Sequence, residues 1–281
     1  MRLAAIGDIH ANHIALKTCL EWVNSHNIDG IVFLGDYVTD CPYPMKTVEL
    51  LRNIPEKYRA WFIKGNRDDY ILDYRRDPVG WSYGSKNGSL LYTYENLTDK
   101  ALDWFSAMPD TLNINIDGCD RIYAIHRPPY YEFLQKLPSE ERLNETLKLI
   151  DAPVILCAHS HVPLVYESCG RLIVNSGPLG APNQRDTELK FAVLEYTDRW
   201  HAEIISLPYD IEAACAEFEP SGLMDKANYW ALGVQKTLQT GYEYSVECYA
   251  EVSRLLQTHT DKTVLDEDLW EIAARNIGLL T

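Results

Sequence analysis

The chain has 281 residues, 46% hydrophobic and 24% charged, the balance of a globular protein with enough apolar material for a sizeable core and not of a disordered one. Its 41 acidic side chains against 26 basic ones give a net charge of −15, which repels a phosphate backbone at long range with no basic run to offset it, and so argues against nucleic acid as a partner. A small phosphorylated substrate stays compatible, because metal cations can reverse the sign of the field inside one cleft.

The N-terminal MRLAAIGDIH enters a strand directly at Leu3–Ile6, without the apolar stretch of a signal peptide, and no later run reaches membrane-spanning length. The 7 cysteines are scattered with no CxxC pair, which suits free thiols in a reducing compartment. A cytoplasmic chain is expected. From Asn12 to Asn24 the spacing of Ile14, Leu16, Leu20 and Val23 predicts a helix, and Ile31–Leu34 a second buried strand. Trp61–Ile63 reads as a third. The stretch from Arg67 to Asp110 is expected to be irregular and aromatic, apart from a helix at Asp99–Ala107 capped by Thr98, and is placed to overhang a site.

Further along, Leu112–Ile116 with Arg121–Ile125, Leu164–Glu167 with Leu172–Asn175, and Phe191–Tyr196 with His201–Ser206 each flank a short polar turn and read as antiparallel hairpins. Val154–Cys157 is another buried strand, and Glu140-Glu141-Arg142 after Ser139 starts a helix. Strand-helix-strand units together with hairpins predict mixed sheets, two of them packed, with helices outside. From about Ile211 helical periodicity takes over, through Tyr229–Leu256 and Glu267–Ile277. The expected division is a domain at 1–210 and a helical appendage at 211–281, packed on it or at a subunit interface and contributing no catalytic group. Self-association is compatible with that tail.

The strands end in polar residues: Asp8 and His10, Asp36, Asn66, His126, and His159 with His161. Ligands of α/β sheets bind at such carboxyl ends, so these residues can converge on one cleft. Carboxylate, amide and imidazole donors together suit Mn, Fe or Zn better than Ca or Mg. Seven donors are too many for one such ion and suit two, with one carboxylate shared.

In their order and spacing GDIHAN, GDYVTD, GNRDD, the lone His126 and AHSH resemble the five motifs of the calcineurin-like metallophosphoesterases, across roughly residues 1–206. NSGPLG at Asn175–Gly180 and SLPYD at Ser206–Asp210 resemble a bacterial branch that includes small phosphodiesterases. The resemblance implies a four-layer αββα sandwich with Asp8, His10 and His161 on one metal, Asn66, His126 and His159 on the second, and Asp36 bridging. It implies hydrolysis of a phosphomonoester or phosphodiester by a metal-bridging hydroxide attacking in line, with two divalent or trivalent transition metals as cofactors. The substrate would be a small phosphorylated compound or a phosphoprotein.

Three positions depart from the family pattern. Arg67 stands where the third motif usually has a His thought to assist the leaving group, and arginine cannot donate a proton at neutral pH. Together with Asp36 and Asn66, Arg67 is a candidate catalytic residue, as a bidentate binder of phosphate oxygens, or else a surface ion-pair partner of Asp68 or Asp69. Asp68 or His13 could take over as acid. Arg127-Pro128-Pro129 stiffens the backbone after His126, and Ala11 replaces a frequent Gly. Lys64 reads as a solvated flank, while Arg75, Arg76, Trp81 and Tyr83 are outside candidates for substrate contact. The competing reading is a non-catalytic metal-binding scaffold on the same fold, which some relatives reach by losing metal ligands or the motif-three His; Arg67 gives that reading a foothold, but none of the seven ligands is missing here.

Overall fold

The computed structural model describes residues 1–129, 137–258 and 266–280. Alternation along the strands decides the layering. In β1 (Arg2–Ile6), Ala4 and Ile6 face one apolar cluster while Leu3 and Ala5 face another. That is the period of two of a strand buried on both faces. The next elements are α1 (His13–Ser25), β2 (Gly30–Phe33), α2 (Pro44–Arg52) and β3 (Arg59–Phe62). α1 begins where expected, because the Asn12 side chain accepts the Ala15 N–H at 3.0 Å.

The segment after β3 is more helical than its aromatic, Gly- and Pro-broken sequence suggests. α3 (Asn66–Arg76), α4 (Gly88–Glu95) and α5 (Asp99–Ser106) occupy most of it, and only α5 was expected. Trp81 stacks on Tyr74 at 4.1 Å between ring centroids, and Tyr94 meets Tyr74 edge-on. Those aromatics therefore fasten helices to one another.

β4 (Thr111–Ile114), β5 (Ile122–Ile125), α6 (Glu140–Leu149), β6 (Val154–Cys157), β7 (Leu164–Ser168) and β8 (Arg171–Asn175) follow, then β9 (Leu189–Tyr196) and β10 (Trp200–Leu207). The three expected hairpins form as β4–β5, β7–β8 and β9–β10. One sheet has the order β10-β9-β1-β2-β3 and the other β4-β5-β6-β8-β7, both mixed. Between them lies the core of Leu3, Ala5, Val32, Ala124, Leu156 and Val174. Outside the first sheet, Ile31 and Phe33 meet Leu16 of α1, Val48 of α2 and Phe105 of α5; outside the second, Ile155 and Ile173 meet Leu143 of α6. The architecture is the four-layer αββα sandwich.

Beyond it the chain is helical: α7 (Ile211–Ala216), α8 (Leu223–Thr240), α9 (Tyr244–Thr258) and α10 (Asp266–Asn276). Leu223, Ala227 and Ala231 of α8 pack with Tyr92 of α4, and with Ala11 and Cys41 from the loops after β1 and β2. Val252 of α9 and Trp270 of α10 share a smaller cluster. Among the described residues no helix is long and apolar enough to cross a membrane.

Candidate metal centre

All five chain segments that carry candidate donors leave the carboxyl ends of parallel strands, β1, β2 and β3 in one sheet and β5 and β6 in the other. The loops after β1 and β2 clasp each other: Ile9 and His10 donate their N–H groups to the Asp36 carbonyl at 2.9 and 3.0 Å, and Ala11 donates to Tyr37 at 2.8 Å. The second sheet joins through the His159 N–H, which donates to the Asp8 carboxylate at 3.0 Å. Asp8, His10, Asp36, His159 and His161 all adopt φ between 48° and 71°, in the left-handed region. Such conformations are costly and persist at functional sites where the surroundings over-determine them.

The donors fall into two groups. Asp8, His10 and His161 have donor atoms within 4.8 Å of one another, and so do Asp36, His126 and His159. The Asn66 Oδ1 joins the second group, 3.1 Å from His126 Nε2. The seven residues picked from sequence are therefore brought together in one buried cleft.

What holds the imidazoles decides what they can bind. His10 Nδ1 lies 2.9 Å from Asp40, His161 Nδ1 lies 3.0 Å from Glu243, and His126 Nδ1 lies 2.7 Å from the Leu34 carbonyl. Each of these partners only accepts, so Nδ1 carries the proton and Nε2 presents a lone pair. His10 Nε2 and His161 Nε2 then face each other at 3.2 Å. Two nitrogens at that distance need a proton or a metal cation between them, and with both Nδ1 positions engaged the donor set fits a bound metal. With no cation bound, burial lowers the His126 and His161 imidazoles, but the carboxylates of Asp36, Asp8 and Glu243 outweigh it and push both up to about 9, so a proton then takes the Nε2 position that a metal would displace it from. Burial likewise raises the Asp36 carboxyl, yet His126 and His10 hold it well below the carboxylate range. His159, buried and beside His126, falls to about 3 and stays a neutral donor. Two buried carboxylates thus create a demand for positive charge.

A family model described as the calcineurin-like phosphoesterase superfamily domain matches residues 1–199. The chain belongs to that superfamily. Among its relatives, an uncharacterized protein of Methanocaldococcus jannaschii is 25% identical over 229 residues, spanning 75% of this chain and 89% of its own length. The crystal structure of a metallophosphoesterase from Sphaerobacter thermophilus superposes with a TM-score of 0.67 at 23% identity, covering 86% of this chain and 100% of that one. A hypothetical protein from Pyrococcus horikoshii OT3 gives 0.72 at 20% identity, covering 86% of this chain and 99% of its own. Both structures share the fold.

Several residues of this superfamily member sit elsewhere than the sequence suggested. Asp68 cannot serve as the acid. It is buried, and its carboxylate accepts the N–H groups of Asp36 and Gly65 at 2.8 Å and of Tyr37 at 3.0 Å, tying the β2 loop to α3. Burial and the nearby Asp36 raise it to about 7. Gly65 is needed here, since a Cβ would lie 2.1 Å from Asp36 Oδ1. Replacing Asp68 by Asn turns one acceptor oxygen into a donor facing N–H groups, and should cost about 2 kcal/mol in urea unfolding. His13 is also unavailable, held at 2.6 Å by Glu217. Lys64 is no solvated flank but bridges Asp69 and Asp110. Arg75 pairs with Asp99 and Asp103, Arg76 with Asp73, and Tyr83 with Glu95, all away from the cleft.

Arg67 pairs with Asp40 and not with Asp68 or Asp69. Its guanidinium lines the cleft with its side chain 20% exposed, 3.7 Å from Asp40 and 5.4 Å above the Trp230 ring. Asp40 was missed from sequence. Burial raises its carboxyl, but Arg67, His10 and the Trp230 N–H, which donates at 2.8 Å, hold it far below the usual range. The second omission is Glu243. The helical tail, expected to contribute packing or subunit contact and no catalytic group, supplies Trp230 and the acceptor on His161. Glu243→Gln should weaken Mn binding roughly 10–100-fold by titration calorimetry, because an amide no longer enforces the Nδ1–H tautomer of His161.

Proposed function

We propose that the chain is a dinuclear-metal phosphoesterase in which Asp8, His10 and His161 hold one cation, Asn66, His126 and His159 the other, and Asp36 bridges. The observation that carries this reading is the pair of donor groups in one buried cleft, with the Nε2 atoms of His10 and His161 facing each other at 3.2 Å. Such a metal pair supplies a water nucleophile at neutral pH and neutralises charge on the phosphoryl oxygens. Mn, Fe and Zn all suit this mixture of carboxylate, amide and imidazole.

The chain's own groups divide the remaining work. Asp40, Glu243 and the Leu34 carbonyl keep His10, His161 and His126 in the tautomer that binds. Asp68 fixes the loop bearing Asp36. Arg67, permanently charged, is placed to bind phosphate oxygens and stabilise the charge that grows on them in the transition state. Among the described residues no neutral-pH acid stands ready for the leaving group, since Arg67 cannot donate its proton and Asp68 and His13 are bound elsewhere. Aryl esters, whose leaving groups depart without protonation, are therefore the favoured class, as mono- or diesters.

The test is metal analysis of the purified protein with hydrolysis of p-nitrophenyl phosphate and bis(p-nitrophenyl) phosphate, before and after chelation. Turnover that disappears with the metal and returns with added Mn is the expected result. A protein that binds two metals and turns over neither ester would instead be the scaffold.

A further inference from the structure

The donor cluster forms only one end of its cleft. The cavity holds about 520 Å³, within the roughly 300–1000 Å³ of small-molecule sites. At the polar end it is lined by His10, Asp36, Asn66, Arg67, His159 and His161. Further lining comes from Val234 and Leu238 of α8, Val246 and Tyr249 of α9 and Leu90 of α4. Thr237, Glu243 and Ser245 lie among them, while Trp230 of α8 lies between this apolar part and the polar end, its N–H on Asp40. Those α8 and α9 residues lie beyond residue 199, where the match to the family ends. The wall they form therefore lies outside the part of the chain that the family model describes.

An apolar wall continuous with a cationic centre has a definite chemical meaning. Water against Val234, Leu238 and Val246 gains little, and an apolar group placed there is removed from water at about 25 cal/mol per Å² of buried apolar surface. Tyr249 offers an aromatic face to a ring, beside Trp230, whose own ring already carries Arg67. Tyr249 is 52% exposed, an exposed aromatic at the rim of a cavity. A phosphoryl group at the donor cluster would extend its organic substituent along this wall.

Resting on the phosphoesterase reading, we infer that the substrate is a small phosphoester whose organic group is apolar and aromatic in size, held by the α8–α9 wall, and not a phosphoprotein. The wall, and not the metal centre, selects it.

The experiment measures binding apart from turnover, on the full Mn-loaded chain, with phosphonates that have no ester bond to cleave. Calorimetry compares 1-naphthylphosphonate, methylphosphonate and a peptide carrying the phosphonate analogue of phosphoserine. The naphthyl compound should bind at least tenfold more tightly than the methyl one. That ratio should fall below threefold in Tyr249→Ala, which alters a half-exposed side chain, and in Val246→Asp, which puts a charge into the wall. Equal binding of the two phosphonates, an unchanged ratio in both variants, or tightest binding of the peptide would each overturn the inference. A parallel assay of phenyl phosphate hydrolysis keeps the two readings apart. Discrimination without turnover removes the hydrolase and leaves the wall, whereas turnover without discrimination does the reverse.

Discussion

Asp36→Asn should reduce phosphoester turnover by about 4 kcal/mol in activation free energy, roughly three powers of ten, with little change in the unfolding transition. The carboxylate is buried, and the imidazoles of His126 and His10 hold it charged. Its Oδ1 also accepts the Arg67 N–H at 2.8 Å, a bond an amide oxygen can keep, so the loop should hold its shape. What the amide cannot replace is the negative charge that lets two cations lie close together. Metal content measured beside kcat makes the test sharp: the variant should lose metal along with activity. Near-full turnover in Asp36→Asn would defeat the dinuclear proposal.

Arg67→Ala should lower kcat/KM by roughly 2–4 kcal/mol, the range for removing a well-aimed donor from transition-state charge. The loss should be the same for aryl and alkyl esters, because a charge on phosphoryl oxygens is indifferent to the leaving group. Arg67→His should instead recover alkyl esters more than aryl ones, since only the former need a proton to depart. The Asp40 contact bears on both variants. Asp40 keeps His10 and Trp230 as partners after Arg67 is removed, so the His10 tautomer survives and the change isolates the guanidinium. Rates on both ester types across pH would show it, and a kinetically silent Arg67→Ala would mean that Arg67 serves only Asp40.

The candidate donors that the structure gathers in one cleft were legible in the sequence because each is announced locally. Asp8, Asp36, His126 and His159 close short Ile- and Val-rich runs, and a strand's end marks its own position without knowledge of any partner. Asp40 and Glu243 carry no such mark. Their bonds to His10 and His161 span 30 and 82 residues, and an acidic residue in a loop looks the same whether it faces water or an imidazole. Asp68 was misassigned for a related reason. Adjacent to Asn66 and Arg67 in sequence, it turns away from the cleft to collect three backbone N–H groups, a role that only the approach of the β2 loop creates. The helices α3 and α4 were hidden by composition: Pro78, Gly80 and Gly84 break the stretch, and α3 buries little besides Asp68 and Ile71, so its apolar periodicity is faint. The apolar wall could not be read at all, since residues that face a cavity and residues that face a core have the same chemistry.

The turn between α8 and α9 carries Glu243, and that one carboxylate makes the far end of the chain answerable to the cleft. Linkage runs in both directions: whatever steadies His161 steadies the docking of α9 by the same free energy, and whatever loosens α9 loosens His161. Protease resistance of the last forty or so residues should therefore rise when Mn is added and fall on chelation. The chain would then report the loading of its own centre through the accessibility of its C-terminal helices.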